Sequence, residues 1–154
     1  MGLDMYLSAK KYMSKYFDPA DVERIAKIND MFGVVGLEDE DYGAEEVKFR
    51  VAYWRKANAI HDWFVQNVQK GTDDCDEYWV SREQLQELID ICKQIVENPK
   101  KADELLPTRS GFFFGSTHYD EWYISQLQFT ADRFEKILKD PAFQKADFYY
   151  QSSW

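Results

Sequence analysis

Two side chains in this sequence have the chemistry of a nucleophile and its base, Cys75 and His61. A thiolate–imidazole pair needs both in one pocket, with the imidazole within hydrogen-bond reach of the sulfur. Cys75 sits in GTDDCDEYW, between Asp73, Asp74, Asp76 and Glu77. Acids so near oppose ionisation of a thiol and keep it unreactive. His61 falls inside an apolar helical stripe, where a satisfied structural histidine is the simpler expectation. The same four acids offer hard oxygen ligands to a cation, and the segment GLEDEDYG (36–43) offers more. Neither has the spaced ligands and central glycine of a calcium loop. Two histidines and two separated cysteines give no zinc pattern. The sequence therefore predicts no catalytic residue, no metal and no cofactor.

Anion recognition is a better match to the residues. In TRSGFFFGSTHYDEWY (108–123), Gly115, Ser116 and Thr117 lead into a predicted helix. The first N–H groups of a helix have no intrahelical acceptor and suit an anion. Arg109, with Ser110 beside it, can add a charge-assisted contact, and Arg55 and Lys56 stand at another predicted helix start. Trp54 and Tyr119 offer rings on which a base can stack. Trp54, Arg55, Lys56, Arg109, Ser110, Gly115, Ser116, Thr117 and Tyr119 are thus the candidate ligand-binding residues, for a small nucleotide-like molecule. A structural reading competes with it. Thr117, with Asp120 and Glu121, can cap the same N–H groups and repel phosphate. A glycine-rich phosphate loop followed by lysine is also missing. Arg55, Asn58 and Asp62 read equally well as one solvated helical face.

The elements that must position these residues follow from periodicity. Leu3, Met5 and Leu7 alternate with Asp4 and Tyr6, as in a half-buried strand. Asp18-Pro19 predicts an N-cap and first helical residue, before a helix that turns Val22, Ile25, Ala26 and Phe32 inward and stops near Gly33. Glu46 to Tyr53 predicts a second strand, with Val47, Phe49, Val51 and Tyr53 on one side. Arg55 to Gln69 reads as a helix burying Ala57, Ile60, His61, Phe64, Val65 and Val68, with Trp54 and Trp63 off its apolar centre. Ser81 and Gln84 form a capping box for a helix burying Leu85, Leu88, Ile89, Cys92, Ile95 and Val96. A short helix follows Asn98-Pro99, residues 107–118 form a turn or short strand, and a long helix runs from about Tyr119 to Lys139. The segment DFYYQSSW adds a strand or covers the core. The fold class is α+β, four to five helices on a small antiparallel sheet, with residues 1–154 as a single domain.

Composition bounds the function. A chain of 154 residues, 45% hydrophobic and 17% aromatic, has the apolar groups to offset ordering entropy and needs no disulfide staple. Two cysteines make no disulfide framework, and MGLDMYLSAKK has no apolar signal region, so a cytoplasmic, reduced protein is expected. A net charge of −9 without a Lys/Arg cluster predicts no binding to nucleic-acid polymers and none to anionic membranes. Such a charge speeds encounter with a basic partner, which makes GLEDEDYG a candidate protein-facing loop. An aromatic-rich chain of this size is also a candidate homo-oligomer.

Four blocks, MGLDMYL, YWRKANAIHDWFVQNVQ with its GTDDC, VSREQLQELIDICK and LLPTRSGFFFGSTHYDEWY, resemble a family of small proteins encoded mainly by tailed bacteriophages and prophages. The resemblance covers most of the chain and is weakest over residues 13–45 and the last dozen. It implies a setting rather than a reaction, and brings no catalytic residues. Small accessory phage proteins often act against host defences, by sequestering a nucleotide immune signal or by binding a defence protein. A non-enzymatic counter-defence protein that captures a nucleotide-like signal is the expectation. An acidic inhibitor of a host or defence enzyme is the alternative, and a small hydrolase ranks below both.

Overall fold

A computed structural model describes residues 2–37 and 42–154. The chain runs β1 (Asp4–Tyr12), α1 (Asp21–Met31), β2 (Glu46–Arg55), α2 (Asn58–Asn67), β3 (Tyr78–Val80), α3 (Arg82–Glu97), α4 (Ala102–Leu105), α5 (Glu121–Lys139) and β4 (Asp147–Ser153). Single 3-10 turns at Pro99–Lys101 and Pro141–Phe143 precede α4 and β4. The architecture is α+β, and the sheet is antiparallel throughout, in the order β2-β1-β4-β3.

One face of the sheet is the floor of the core. Met5, Leu7 and Ala9 of β1, Ala52 and Trp54 of β2, Val80 of β3 and Phe148 and Tyr150 of β4 are all buried. The strand alternation seen at residues 3–7 thus continues to Ala9. Over this floor lie α2, α3 and α5, and α3 packs along α5. The buried stripe of α3 is Leu85, Leu88, Ile89, Cys92 and Ile95, and that of α5 includes Tyr123, Leu127, Ala131 and Phe134. Both arise from the i, i+3, i+4 spacing of their apolar residues. Ser81 caps α3 in a reciprocal box with Gln84 (3.0 and 2.9 Å). The Cys92 thiol is pushed up to about 12 by burial, which keeps it inert.

β2 departs from the expected alternation. Leu7 pairs with Ala52 but Ser8 pairs with Arg50, so Val51 is an extra residue in the strand. Such a bulge shifts the phase of the pleat. Phe49 therefore lies on the inner face with Ala9, while beyond the bulge Ala52 and Trp54 turn inward and Tyr53 turns out. The strand also runs two residues further than expected, to Arg55, so α2 begins only at Asn58. Trp54 and Trp63, expected off the apolar centre, are both buried. The outer face of the sheet carries polar pairs instead. Arg50 lies over the Tyr6 ring (4.5 Å) and Lys10 over Tyr149 (4.3 Å), while Lys10 and Lys48 both pair with Glu77.

α1 is attached differently. It starts at Asp21 rather than behind Asp18, because the Asp18 carboxylate caps the preceding turn by accepting from Ala20 N (3.1 Å). Among its residues only Asp21 is buried, its carboxylate accepting from Ser14 N (2.9 Å) and Arg24 (2.7 Å). Val22, Ala26 and Phe32, expected inward, are exposed. No helix of the described residues is long and apolar enough to cross a membrane.

Candidate functional site

Asn58 begins α2 and is the organising residue of the region expected to bind ligand. Its side chain is buried, Nδ2 donating to Phe114 O (3.0 Å) and Ser116 O (2.8 Å), while Oδ1 accepts from Arg109 N (2.9 Å). One amide thus fastens three points of the 107–120 loop onto the start of α2. Gly115 has φ +85°, which strains any residue with a side chain, and sits tightly against Lys56, since an added Cβ would lie 3.0 Å from Lys56 Cβ. Lys56 itself adopts φ +57°, a left-handed conformation that residues bearing a Cβ rarely take up. It is held there by its N–H bond to Leu3 O (2.8 Å).

The candidate residues do not all share one surface. Lys56, Gly115 and Ser116 come together, with Thr117 beside them, its carbonyl accepting from the Thr108 hydroxyl (3.0 Å). Thr117 does not cap α5; Asp120 does, accepting from Tyr123 N (3.0 Å). Tyr119 is fixed by its hydroxyl to Thr108 N (3.3 Å) and its ring packs edge-on against Tyr123. Arg109 is ion-paired with Asp62, so its charge is largely spent. Arg55 and Ser110 are exposed. Trp54 is a correction: it is 1% exposed, donates its indole N–H to Thr130 Oγ1 (2.8 Å) and packs edge-on to Phe134. It belongs to the core because the bulge at Val51 turns it inward. Asn58 and Asp62, read as a solvated face, are the loop clamp and the Arg109 partner.

Between the starts of α2 and α5 lies a cleft of about 20 Å³, lined by Lys56, Asn58, Ser116, His118, Asp120 and Trp122. That is space for about one water. Intrahelical bonding in α2 starts with His61 N to Ala57 O (3.0 Å), and the N–H groups of Asn58, Ala59 and Ile60 meet no acceptor among the described residues. Trp122 and Tyr119 stand exposed nearby.

His61 is wholly buried, and both ring nitrogens are occupied. Nδ1 is 2.8 Å from the Tyr150 hydroxyl and Nε2 is 3.1 Å from Asp73 Oδ1, which also accepts from Trp154 Nε1 (3.2 Å). Desolvation lowers the His61 pKa from its ordinary value, against the opposing pull of Asp73, so the ring is neutral. The consistent tautomer has Tyr150 donating to Nδ1 and Nε2–H donating to Asp73. No lone pair remains to take a proton from Cys75, which is exposed. The acids around it are dispersed. Asp74 accepts from the Tyr78 hydroxyl (2.8 Å) and Asp76 N (3.0 Å), while Glu77 faces Lys10 and Lys48. Among the described residues no three His, Cys, Asp or Glu side chains gather as a ligand set.

A second region has the features of a binding surface. Tyr16, Phe17, Met31, Phe32 and Val35 are each more than three-quarters exposed, and Tyr12, Val22, Val34, Leu37 and Tyr42 are exposed as well. All lie in residues 12–42, before, within or after α1. Troughs of about 780 and 530 Å³ flank this helix. Glu38, Asp39, Glu40 and Asp41, the acids of the GLEDEDYG segment, lie outside the described residues. Of these residues, Val22 and Phe32 follow a helical period that predicts burial, and the structure leaves both exposed.

Comparison of the chain with protein-family models, with curated proteins and with solved structures gives no match.

Proposed function

We propose that this protein acts by binding another protein through the surface formed by residues 12–37 and Tyr42. The observation that carries this reading is the concentration there of large apolar side chains in contact with solvent. Soluble monomers rarely expose contiguous apolar surface on this scale unless it meets a partner. None of these exposed residues belongs to the buried core, which the sheet forms with α2, α3 and α5. In the phage setting that the sequence blocks imply, the partner is a host or defence protein. A photo-crosslinking residue placed at Phe32 in expressing host cells tests this, with the same residue at the exposed Phe112 as the control. A discrete adduct from position 32, lost in the double variant Phe17→Ser/Val35→Asp, is the expected result. Equal labelling from both positions, or an adduct indifferent to the double variant, would sink the reading.

A nucleotide-like ligand is the second reading, favoured by the three acceptor-free N–H groups at the start of α2 and the neighbouring Lys56. The cleft itself admits only a water-sized group, so base and sugar would lie outside it, over Trp122 and Tyr119. Thermal shift with a panel of linear and cyclic nucleotides checks this. Stabilisation that Lys56→Ala removes supports capture, and no shift with any nucleotide ends it.

A further inference from the structure

We infer that the larger of the two troughs flanking α1 takes an acidic, amphipathic segment of the partner, and this rests on the protein-binding reading above. The trough, about 780 Å³, runs between α1, the ends of β1 and β2, and the 3-10 turn at Pro141–Phe143. Phe17, Ile28, Val47, Phe49 and Pro141 give it apolar walls. Its charges are uneven. Asp18 and Asp21 are its two acids, and both are engaged by the single Arg24 (2.8 and 2.7 Å). Lys27 is paired with Glu23 (2.5 Å). Lys11 and Lys145 also line the trough without a direct ion pair among the described residues, though Lys145 helps Arg24 hold the Asp18 carboxyl below its ordinary value. The floor is therefore apolar, and the lining carries four basic side chains (Lys11, Arg24, Lys27, Lys145) against two acidic ones (Asp18, Asp21), on a chain whose total is −9.

What a docked segment meets is set by charges within roughly one Debye length, about 8 Å at physiological salt, and not by the total. Apolar walls under a lysine rim fit apolar side chains alternating with carboxylates, the pattern of a helix laid in a groove. A protein segment fits better than a free fatty acid. The trough is open to solvent rather than enclosed, and apolar surface continues beyond it through Tyr16, Met31 and Phe32. Its sign is opposite to the one the net charge suggests, and this makes it testable.

The probes are two labelled peptides of about four helical turns, both with leucine at i, i+3, i+4 and i+7. One carries glutamate and the other lysine at the remaining positions, and binding to the full chain is read by fluorescence anisotropy. The glutamate peptide should bind, with affinity falling as salt rises, and the lysine peptide should not. Lys11→Glu/Lys145→Glu should weaken binding by about tenfold or more, equivalent to about 1.4 kcal/mol. The exposed Lys136→Glu should leave it unchanged. Lys145→Glu alone, at an exposed position, covers the case in which the double variant loses its far-UV CD signal. Equal or tighter binding of the lysine peptide, no response to the lysine variants, or no binding of the glutamate peptide overturns the inference. If the crosslink from position 32 persists in that event, protein binding stands and only the assigned charge and trough fall.

Discussion

α1 and α3 are both amphipathic helices, yet only one of them is built into the core. α3 buries Leu85, Leu88, Ile89, Cys92 and Ile95 and is closed at its start by a capping box. α1 buries only an aspartate, has no side-chain cap, and is held by polar contacts through Asp21, Arg24 and Asn29. The difference is one of supply. The inner face of the sheet is covered by α2, α3 and α5 except at the β2 edge, where Phe49 stays 42% exposed, so the apolar residues around α1 find little of it left to cover. An amphipathic period shows that a helix has a face to bury, and a partner in another molecule satisfies it as well as a core does.

The largest expected effect falls in the core. Phe134→Ala removes a fully buried ring that Trp54 meets edge-on, and should cost about 3–5 kcal/mol in urea unfolding. A loss no larger than that of a variant in the α1 arm, residues 12–37 and Tyr42, would erase the distinction between the two regions. Next come the buried polar ties. Tyr150→Phe keeps the stacking on Phe64 but strips His61 Nδ1 of its partner, and Asn58→Ala frees the 107–120 loop; each should cost about 1–3 kcal/mol. Losses below about 0.5 kcal/mol would show that water replaces these bonds.

A smaller effect is set by pH. His61 folds neutral with its pKa held below 6.5 by desolvation, so the unfolded chain binds the extra proton as pH falls. The stability from this group is complete above 6.5 and is lost as pH drops through the folded value. Urea midpoints between about pH 7.5 and pH 5.5 should fall less steeply in His61→Gln than in the parent. Parallel profiles would place the pH response elsewhere. The smallest effect belongs to the arm, where Phe32→Ser should change stability by less than about 0.5 kcal/mol. Amides of α1 should also exchange with deuterium faster than those of α3. A strongly destabilised Phe32→Ser variant, or protection of α1 equal to that of α3, would mean that the arm shares the core.

Much of this was legible because strong periods coincided with real burial. The stripes of α2 and α3, the capping box at Ser81 and the antiparallel sheet followed from spacing alone. β3 escaped because three residues are too short a window for any period, and Val80 joins the core through the pairing of β3 with β4. The faces of β2 were misassigned because a bulge at Val51 leaves no mark in the composition. At the candidate site, the meeting of Lys56 with Gly115 was anticipated as a grouping of residue types. Asn58 was not, since an asparagine among polar neighbours looks the same whether it faces water or three backbone groups. Trp54 was drawn to the site by its proximity in sequence to Arg55, which the strand places on the opposite face.

The sheet order has a consequence for how the chain is made. β1 and β4 lie side by side at its centre, with Met5 paired to Ser152, and β3 has no neighbour except β4. During synthesis β1 waits with one edge unpaired while nearly everything between is produced, and β3 waits as well. Pairings this distant in sequence make folding slow and leave strand edges open to other chains. The ribosome must therefore deliver Asp147–Ser153 before any intermediate can close its central hydrogen-bond ladder.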